Sequence, residues 1–296
     1  MKKEKSGKVK HNIVALVYDF DGTLSPNNMQ EDTIFKAYKI DKKKFWEKAH
    51  KLVVEKGYER TLAYLKLLIW DPAFRKKPIR QDDLRKLASQ IEYYPGVQDY
   101  FDRIGNFVKK IPEVREWDIQ LEHYIVSGGI KDILDGCDII KHFKKVYACE
   151  YEYQNGIPVF PKLVINDTNK TQFLFRINKG KLSLSQSINT HMPATQRRIP
   201  FRNMIYIGDG ITDVPSMTVT QKNGGSAIAV FDPRKKVPST VRDMVREKRA
   251  DHFAPADFRE GSLLIKILKR AIQKVVQHIS YQSSANLSYD WVSRHG

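Results

Sequence analysis

Two pairs of carboxylates and one hydroxyl stand where short apolar runs end. Asp19 and Asp21, in Asp19-Phe20-Asp21-Gly22-Thr23-Leu24, follow the run Ile13 to Tyr18. Asp209 and Asp213, in Gly208-Asp209-Gly210-Ile211-Thr212-Asp213, follow Met204 to Ile207, and Ser127, in Val126-Ser127-Gly128-Gly129, follows Leu121 to Val126. On extended chain a spacing of two turns Asp19 and Asp21 toward the same side, and Gly22 supplies a tight turn. Charges so close repel unless a cation sits beside them or one carboxyl keeps a proton, and either remedy implies function.

Adjacent strands lie about 4.8 Å apart, and two ligands at about 2.1 Å from one Mg²⁺ are separated by roughly 3 to 4.2 Å. Asp19 and Asp209 can therefore share a magnesium ion if their strands are neighbours. So few carboxylates favour Mg²⁺ over Ca²⁺, with waters and substrate phosphate completing an octahedron. Ser127 and the backbone N–H groups of the glycines after it, before the helical stretch Ile130 to Leu134, suit an anion. Lys170 ends Asn166-Asp167-Thr168-Asn169-Lys170, which reads as a helix cap and first turn. A cation there opposes the helix dipole, which makes sense if Lys170 faces carboxylates and phosphate. A solvent-facing lysine tolerates the same penalty, and Lys162, Lys179 and Lys181 are nearby rivals.

The elements that must position these residues can be read from the same runs. Continuous apolar stretches at Ile13 to Tyr18, Ile119 to Val126, Met204 to Ile207 and Ala227 to Phe231, each ending in Gly, Ser, Asp or Pro, predict a doubly wound α/β parallel sheet with ligands beyond the strands' carboxyl ends. Residues 27–94 have helical spacing, as in Leu62, Leu65, Leu68 and Ile69, and predict a cap inserted after the first carboxylates, placed to close over a substrate and exclude water. The core then comprises 11–26 and 95–280, with 1–10 and 281–296 as flexible tails. Asn155-Gly156 between apolar-aromatic runs signals a hairpin. Residues 180–198, rich in Ser, Thr, Gln and Asn, predict a long surface loop, mobile or ordered by something bound. Leu263, Leu264, Ile267, Leu268, Ala271, Ile272, Val275 and Val276 form an apolar helical stripe suited to packing on the sheet or to a membrane surface. Trp46, Tyr58, Trp70 and Phe74 are candidates for a pocket wall or for the core of the insert.

The chain of 296 residues carries a formal charge of +17. Its lysines and arginines are dispersed, and no ladder of aromatics accompanies the clusters at 75–77 and 234–236, so a solvated basic surface is expected, with no obligatory nucleic acid. Cys137 and Cys149 have neither disulfide nor zinc spacing. No apolar run suits a signal peptide or a transmembrane segment, and a cytoplasmic location is expected. Nothing in the sequence sets the oligomeric state.

Each segment alone is compatible with an ordinary turn or loop. Their order is not: strand ends present carboxylates, then a hydroxyl with glycines, then carboxylates again. In that order Asp19 to Leu24, Val126 to Gly129, Lys170 and Gly208 to Asp213 resemble the four motifs of the haloacid dehalogenase (HAD) superfamily, and the insert, Ser-Gly-Gly and Gly-Asp-Gly resemble its phosphoserine phosphatase-like branch. The resemblance spans Ile13 to about Phe231 and implies a Mg²⁺-dependent phosphatase acting on a small phosphorylated metabolite. It implies that Asp19 is the nucleophile and that Asp21 is the acid, then the base. Ser127, Gly128 and Lys170 would hold the phosphoryl group. The metal would be bound by Asp19, the backbone carbonyl of Asp21 and Asp209, with Asp213 orienting Lys170 or a metal-bound water. The sequence departs from familiar phosphoserine phosphatases at Gly22, where serine is frequent, in the length of the insert and in the 180–198 loop, and their amino- and carboxylate-recognising residues have no match here. Two other readings stay open: a phosphotransferase using the same aspartate, and a non-catalytic RNA- or anion-binding protein in which the acidic cluster holds a structural ion.

Overall fold

Ile13–Tyr18 is apolar on both faces and must be covered on both, and it forms strand β1 at the centre of the sheet with every residue buried. The computed structural model describes residues 11–295. The other strands are β2 (Gln120–Ile130), β3 (Phe143–Gln154), β4 (Ile157–Leu163), β5 (Met204–Gly208), β6 (Ser226–Phe231) and β7 (His252–Pro255). Their order is β4-β3-β2-β1-β5-β6-β7, parallel throughout except for the antiparallel β3–β4 pair. This is the predicted doubly wound α/β sheet. β1 lies between β2 and β5, so the strand ends bearing Asp19, Ser127 and Asp209 are adjacent.

Between β1 and β2 a π-helical turn (Glu31–Phe35) runs into α1 (Lys36–Tyr38), followed by α2 (Lys42–Lys56), α3 (Arg60–Trp70), α4 (Pro72–Lys76) and α5 (Gln81–Leu87). Local signals bound these helices. The Asp41 side chain accepts from the Lys44 N–H at the start of α2, Gly57 ends it in the left-handed region, and Glu59 and Asp71 cap α3 and α4. The Tyr94 N–H donates to the Leu24 carbonyl at 3.0 Å, so the chain leaves and rejoins the sheet layer side by side. The hairpin signalled by Asn155-Gly156 is present, and its first strand belongs to the main sheet. It also buttresses the insert: the Gln81 N–H donates to the Gly156 carbonyl at 2.9 Å, and Tyr153 and Gln81 both donate to buried Asp132, at 2.6 and 2.8 Å.

α6 (Val97–Lys109) and α7 (Pro112–Glu116) precede β2, α8 (Lys131–Leu134) follows it, and α9 (Lys170–Lys179), α10 (Val214–Lys222) and α11 (Ser239–Arg246) follow in turn. α8 is shorter than the helical stretch expected from Ile130, because β2 resumes pairing after an irregularity at Ser127–Gly129 and Ile130 aligns with Cys149 of β3. The 180–198 loop has little regular structure and is ordered by its own chain. Arg176 donates to the carbonyls of Lys181, Ser183 and Gln186, and Lys179 to those of Ile188 and Thr190.

α12 (Leu263–His295) buries Leu264, Leu268, Ala271, Ile272, Val275 and Val276 against the body, joined by Ile265 and Ile279, whereas Leu263 is exposed. Its helix continues to His295, through most of the expected tail at 281–296, extending a helix already anchored by packing. The expected tail at 1–10 lies outside the described residues. Among the described residues no helix is long and apolar enough to cross a membrane.

Candidate active site

β1 and β5 are hydrogen-bonded neighbours, and the Asp19 N–H extends the ladder by donating to the Ile207 carbonyl at 2.9 Å. That pairing brings Asp19 to Asp209 across a sequence separation that no local periodicity spans. Asp19, Asp209 and Asp213 each offer a carboxylate oxygen within 4.8 Å of the others, a grouping able to hold a cation. Lys170, at the first turn of α9 and 3% exposed, places its Nζ 3.0 Å from Asp19 Oδ2 and 2.8 Å from Asp213 Oδ1. Two of the rival lysines are engaged elsewhere: Lys162 pairs with Glu150, and Lys179 holds the loop carbonyls.

Asp213 is held on both oxygens. Oδ1 accepts from Lys170 and from the Tyr206 hydroxyl at 2.6 Å, and Oδ2 accepts the Asp209 N–H at 3.1 Å. Its acceptor capacity is largely used, which leaves Asp19 and Asp209 as the carboxylates better able to meet a cation. Gly22 is required by both conformation and space, since its φ is +77° and an added Cβ would stand 2.1 Å from Asp209 Oδ2. The glycine lets the Asp209 carboxylate lie against the turn. Asp21 Oδ1 accepts the Met29 N–H at 2.9 Å, and Ser127, 1% exposed, accepts the Gly129 N–H on Oγ at 3.0 Å.

Burial dominates the electrostatics. It pushes the Asp19 carboxyl up to about 7, against the attraction of Lys170 and with repulsion from Asp213. Burial followed by the Asp19 charge raises Asp21 well above the carboxylate range, and burial with Asp213 and Asp19 does the same to Asp209. For Lys170 burial works toward neutrality, but Asp19 and Asp213 outweigh it and hold the ammonium protonated. Asp19, Asp21, Asp209 and Asp213 thus face one compensating ammonium, and the surplus of negative charge suits either a divalent cation or retained protons.

The predicted residues Asp19, Asp21, Ser127, Gly128, Lys170 and Asp209 all line one cavity of about 930 Å³, while Asp213 lies fully buried behind Lys170. Trp46, His50 and Val53 of α2, with Arg60 and Tyr64 of α3, form part of its wall. Of the other aromatics considered, Phe74 is buried in the insert, Trp70 is exposed and Tyr58 packs with Lys66. Sequence reasoning missed Met29, Tyr64 and Tyr206, which touch Asp21, Gly128 and Asp213. Tyr206 gives a faint signal as a polar tip inside an apolar strand, while Met29 and Tyr64 give none.

No family model matches the chain. An uncharacterized protein of Borreliella burgdorferi is 28% identical over 282 residues, which cover 86% of this chain and 95% of that one. Among solved structures, a substrate-bound phosphoserine phosphatase superposes with a TM-score of 0.53 at 17% identity, over 87% of this chain and 97% of that one. A probable phosphoserine phosphatase from Vibrio cholerae gives 0.54 at 14% identity, over 92% and 68%. A HAD-family hydrolase from Salmonella enterica serovar Typhi gives 0.51 at 16%, over 83% and 67%. The chain shares the fold of these phosphoserine phosphatase and HAD-family hydrolase structures.

Proposed function

We propose that this chain is a Mg²⁺-dependent phosphatase that hydrolyses a small phosphomonoester through a phosphoryl-aspartate on Asp19. The observation that carries this reading is Lys170, a buried ammonium bridging Asp19 and Asp213 while Asp21 and Ser127 face the same cavity. Asp19, Asp209 and the backbone carbonyl of Asp21 are the groups that would hold the metal, and the excess of buried carboxylate over ammonium fits a divalent cation. Bound Mg²⁺ supplies neutralisation of the charge on the phosphoryl oxygens.

In the first half-reaction a carboxylate oxygen of Asp19 attacks phosphorus in line. The bond from phosphorus to the ester oxygen breaks, and Asp21 gives its proton to the departing alkoxide. A raised affinity for protons suits Asp21 to that task. In the second half-reaction Asp21 accepts a proton from the attacking water, the bond between Asp19 and phosphorus breaks, and inorganic phosphate leaves. Ser127, the backbone at Gly128 and Lys170 hold the phosphoryl oxygens, while Asp213, fixed by Tyr206 and the Asp209 N–H, orients Lys170.

The test is hydrolysis of an aryl phosphate and then of a panel of phosphomonoesters by wild type and Asp19→Asn, with Mg²⁺ and with EDTA. Mg²⁺-dependent turnover that Asp19→Asn reduces by at least about 10³-fold is the expected result. Product appearing on an added alcohol in preference to water would recast the protein as a phosphotransferase. No turnover across the panel, together with RNA affinity that falls steeply with salt, would favour the binding-protein reading.

A further inference from the structure

Tyr64 connects the helical insert to the proposed anion site through one peptide group. It lies on α3, is buried, and its hydroxyl donates to the Gly128 carbonyl at 2.5 Å. The N–H on the other side of that peptide, Gly129 N–H, donates to Ser127 Oγ at 3.0 Å. Ser127 Oγ is therefore an acceptor on its protein side, and among the described residues no protein acceptor takes its hydroxyl hydrogen, which is left to donate toward the cavity. The Cys149 thiol also reaches the same carbonyl, at 3.3 Å.

We propose that Tyr64 is a positioning residue for Ser127, acting through the chain Tyr64 O–H to Gly128 C=O, Gly129 N–H to Ser127 Oγ, and Ser127 O–H to a phosphoryl oxygen. A carbonyl that accepts a hydrogen bond polarises its own amide and makes the N–H a stronger donor, so each link strengthens the next. Geometry matters as much as polarity. With Gly on both sides, the peptide's orientation depends on the groups that bond to it, and a rotated peptide would offer Ser127 Oγ an alternative to donating into the cavity. Burial keeps the Tyr64 phenol protonated. The anion site is thus complete only when α3 is seated. The inference rests on the reading that Ser127 holds phosphate.

A second tether on the same helix provides the control. The Tyr151 hydroxyl of β3 donates to the Leu65 carbonyl at 2.9 Å, anchoring α3 without touching Ser127, Gly128 or Gly129. The experiment is calorimetric binding of inorganic phosphate, with Mg²⁺, to wild type, Tyr64→Phe, Ser127→Ala, the double variant and Tyr151→Phe. Tyr64→Phe should weaken binding about five- to tenfold. The double variant should bind within about twofold of Ser127→Ala, because a residue acting through Ser127 has nothing to act on once the hydroxyl is gone. Tyr151→Phe should leave affinity within about twofold of wild type.

Multiplying effects in the double variant, an unaltered Tyr64→Phe, or a Tyr151→Phe that matches Tyr64→Phe would each overturn the proposal. Should Tyr64→Phe fail to fold, amide exchange in the wild type still decides. Strong protection of the Gly129 N–H supports the chain, and free exchange there sinks it. The two readings separate cleanly: wild type that binds phosphate but turns over no ester defeats the phosphatase reading while the binding cycle still tests Tyr64. An active wild type with multiplying effects defeats only the relay.

Discussion

Lys170 shows how much one buried charge carries. Its ammonium, 3% exposed, faces Asp19 at 3.0 Å and Asp213 at 2.8 Å, and no other cation reaches either carboxylate among the described ion pairs. Replacing it with Met leaves both acids uncompensated in a low-dielectric site. Breaking a buried pair in this way costs about 3–5 kcal/mol. The pH dependence follows from the direction of the acid shifts. Without the ammonium the folded-state pKa of Asp19 rises further above its unfolded value, so folding favours the protonated acid and stability falls as pH rises through that window. Lys170→Met is therefore predicted to lose more stability at pH 8 than at pH 5 in urea melts. An equal loss at both would mean that Lys170 does not compensate these acids.

The elements around the site are held by polar clamps whose partners lie on separate segments. The C-terminal turn of α9 organises the 180–198 loop: Arg176, 6% exposed, donates to the carbonyls of Lys181, Ser183 and Gln186 at 3.2, 2.7 and 3.0 Å. A cation there also complements the helix dipole. Arg176→Met should cost about 2–3 kcal/mol, since bonds from a charged donor are each worth about 1.5–3 kcal/mol and solvent replaces part of that set. Limited proteolysis should then cut within 181–198, where wild type resists, with the phosphatase rate changed by less than about threefold. A variant loop that resists cleavage like wild type would show that other contacts order it.

At the scale of the whole molecule, the sheet interior includes a titratable group outside the candidate site. His123 on β2 is sandwiched among Tyr18, Phe101 and Phe143, with Nδ1 3.1 Å from the Tyr18 hydroxyl. Burial, with a smaller push from His142, lowers its pKa to about 3. The unfolded chain binds this proton below about pH 6.5 and the folded chain does not until far lower, so stability present above 6.5 is lost as pH falls toward 3. The slope is up to ~1.4 kcal/mol per pH unit. His123→Gln is predicted to flatten the difference in unfolding free energy between pH 6.5 and pH 4, whatever its absolute stability, and an unchanged slope would assign acid sensitivity to other groups.

The sequence by itself determined the central strand and the residue types around the site. Six apolar residues at Ile13–Tyr18 can only be buried on both faces, and the ordered carboxylates, Ser-Gly-Gly and second carboxylate pair are local patterns that need no partner to be recognised. Other features waited on tertiary structure because their partners are far apart in the chain. Strand order made β1 and β5 neighbours and so brought Asp19 to Asp209. Packing of α9 chose Lys170 over its rivals, and anchoring of α12 carried helix to His295, through residues expected as a tail. The contact of Tyr64 with Gly128 had no sequence signature: a tyrosine at helical spacing reads only as core, and which carbonyl its hydroxyl meets depends on how the insert is seated against the sheet.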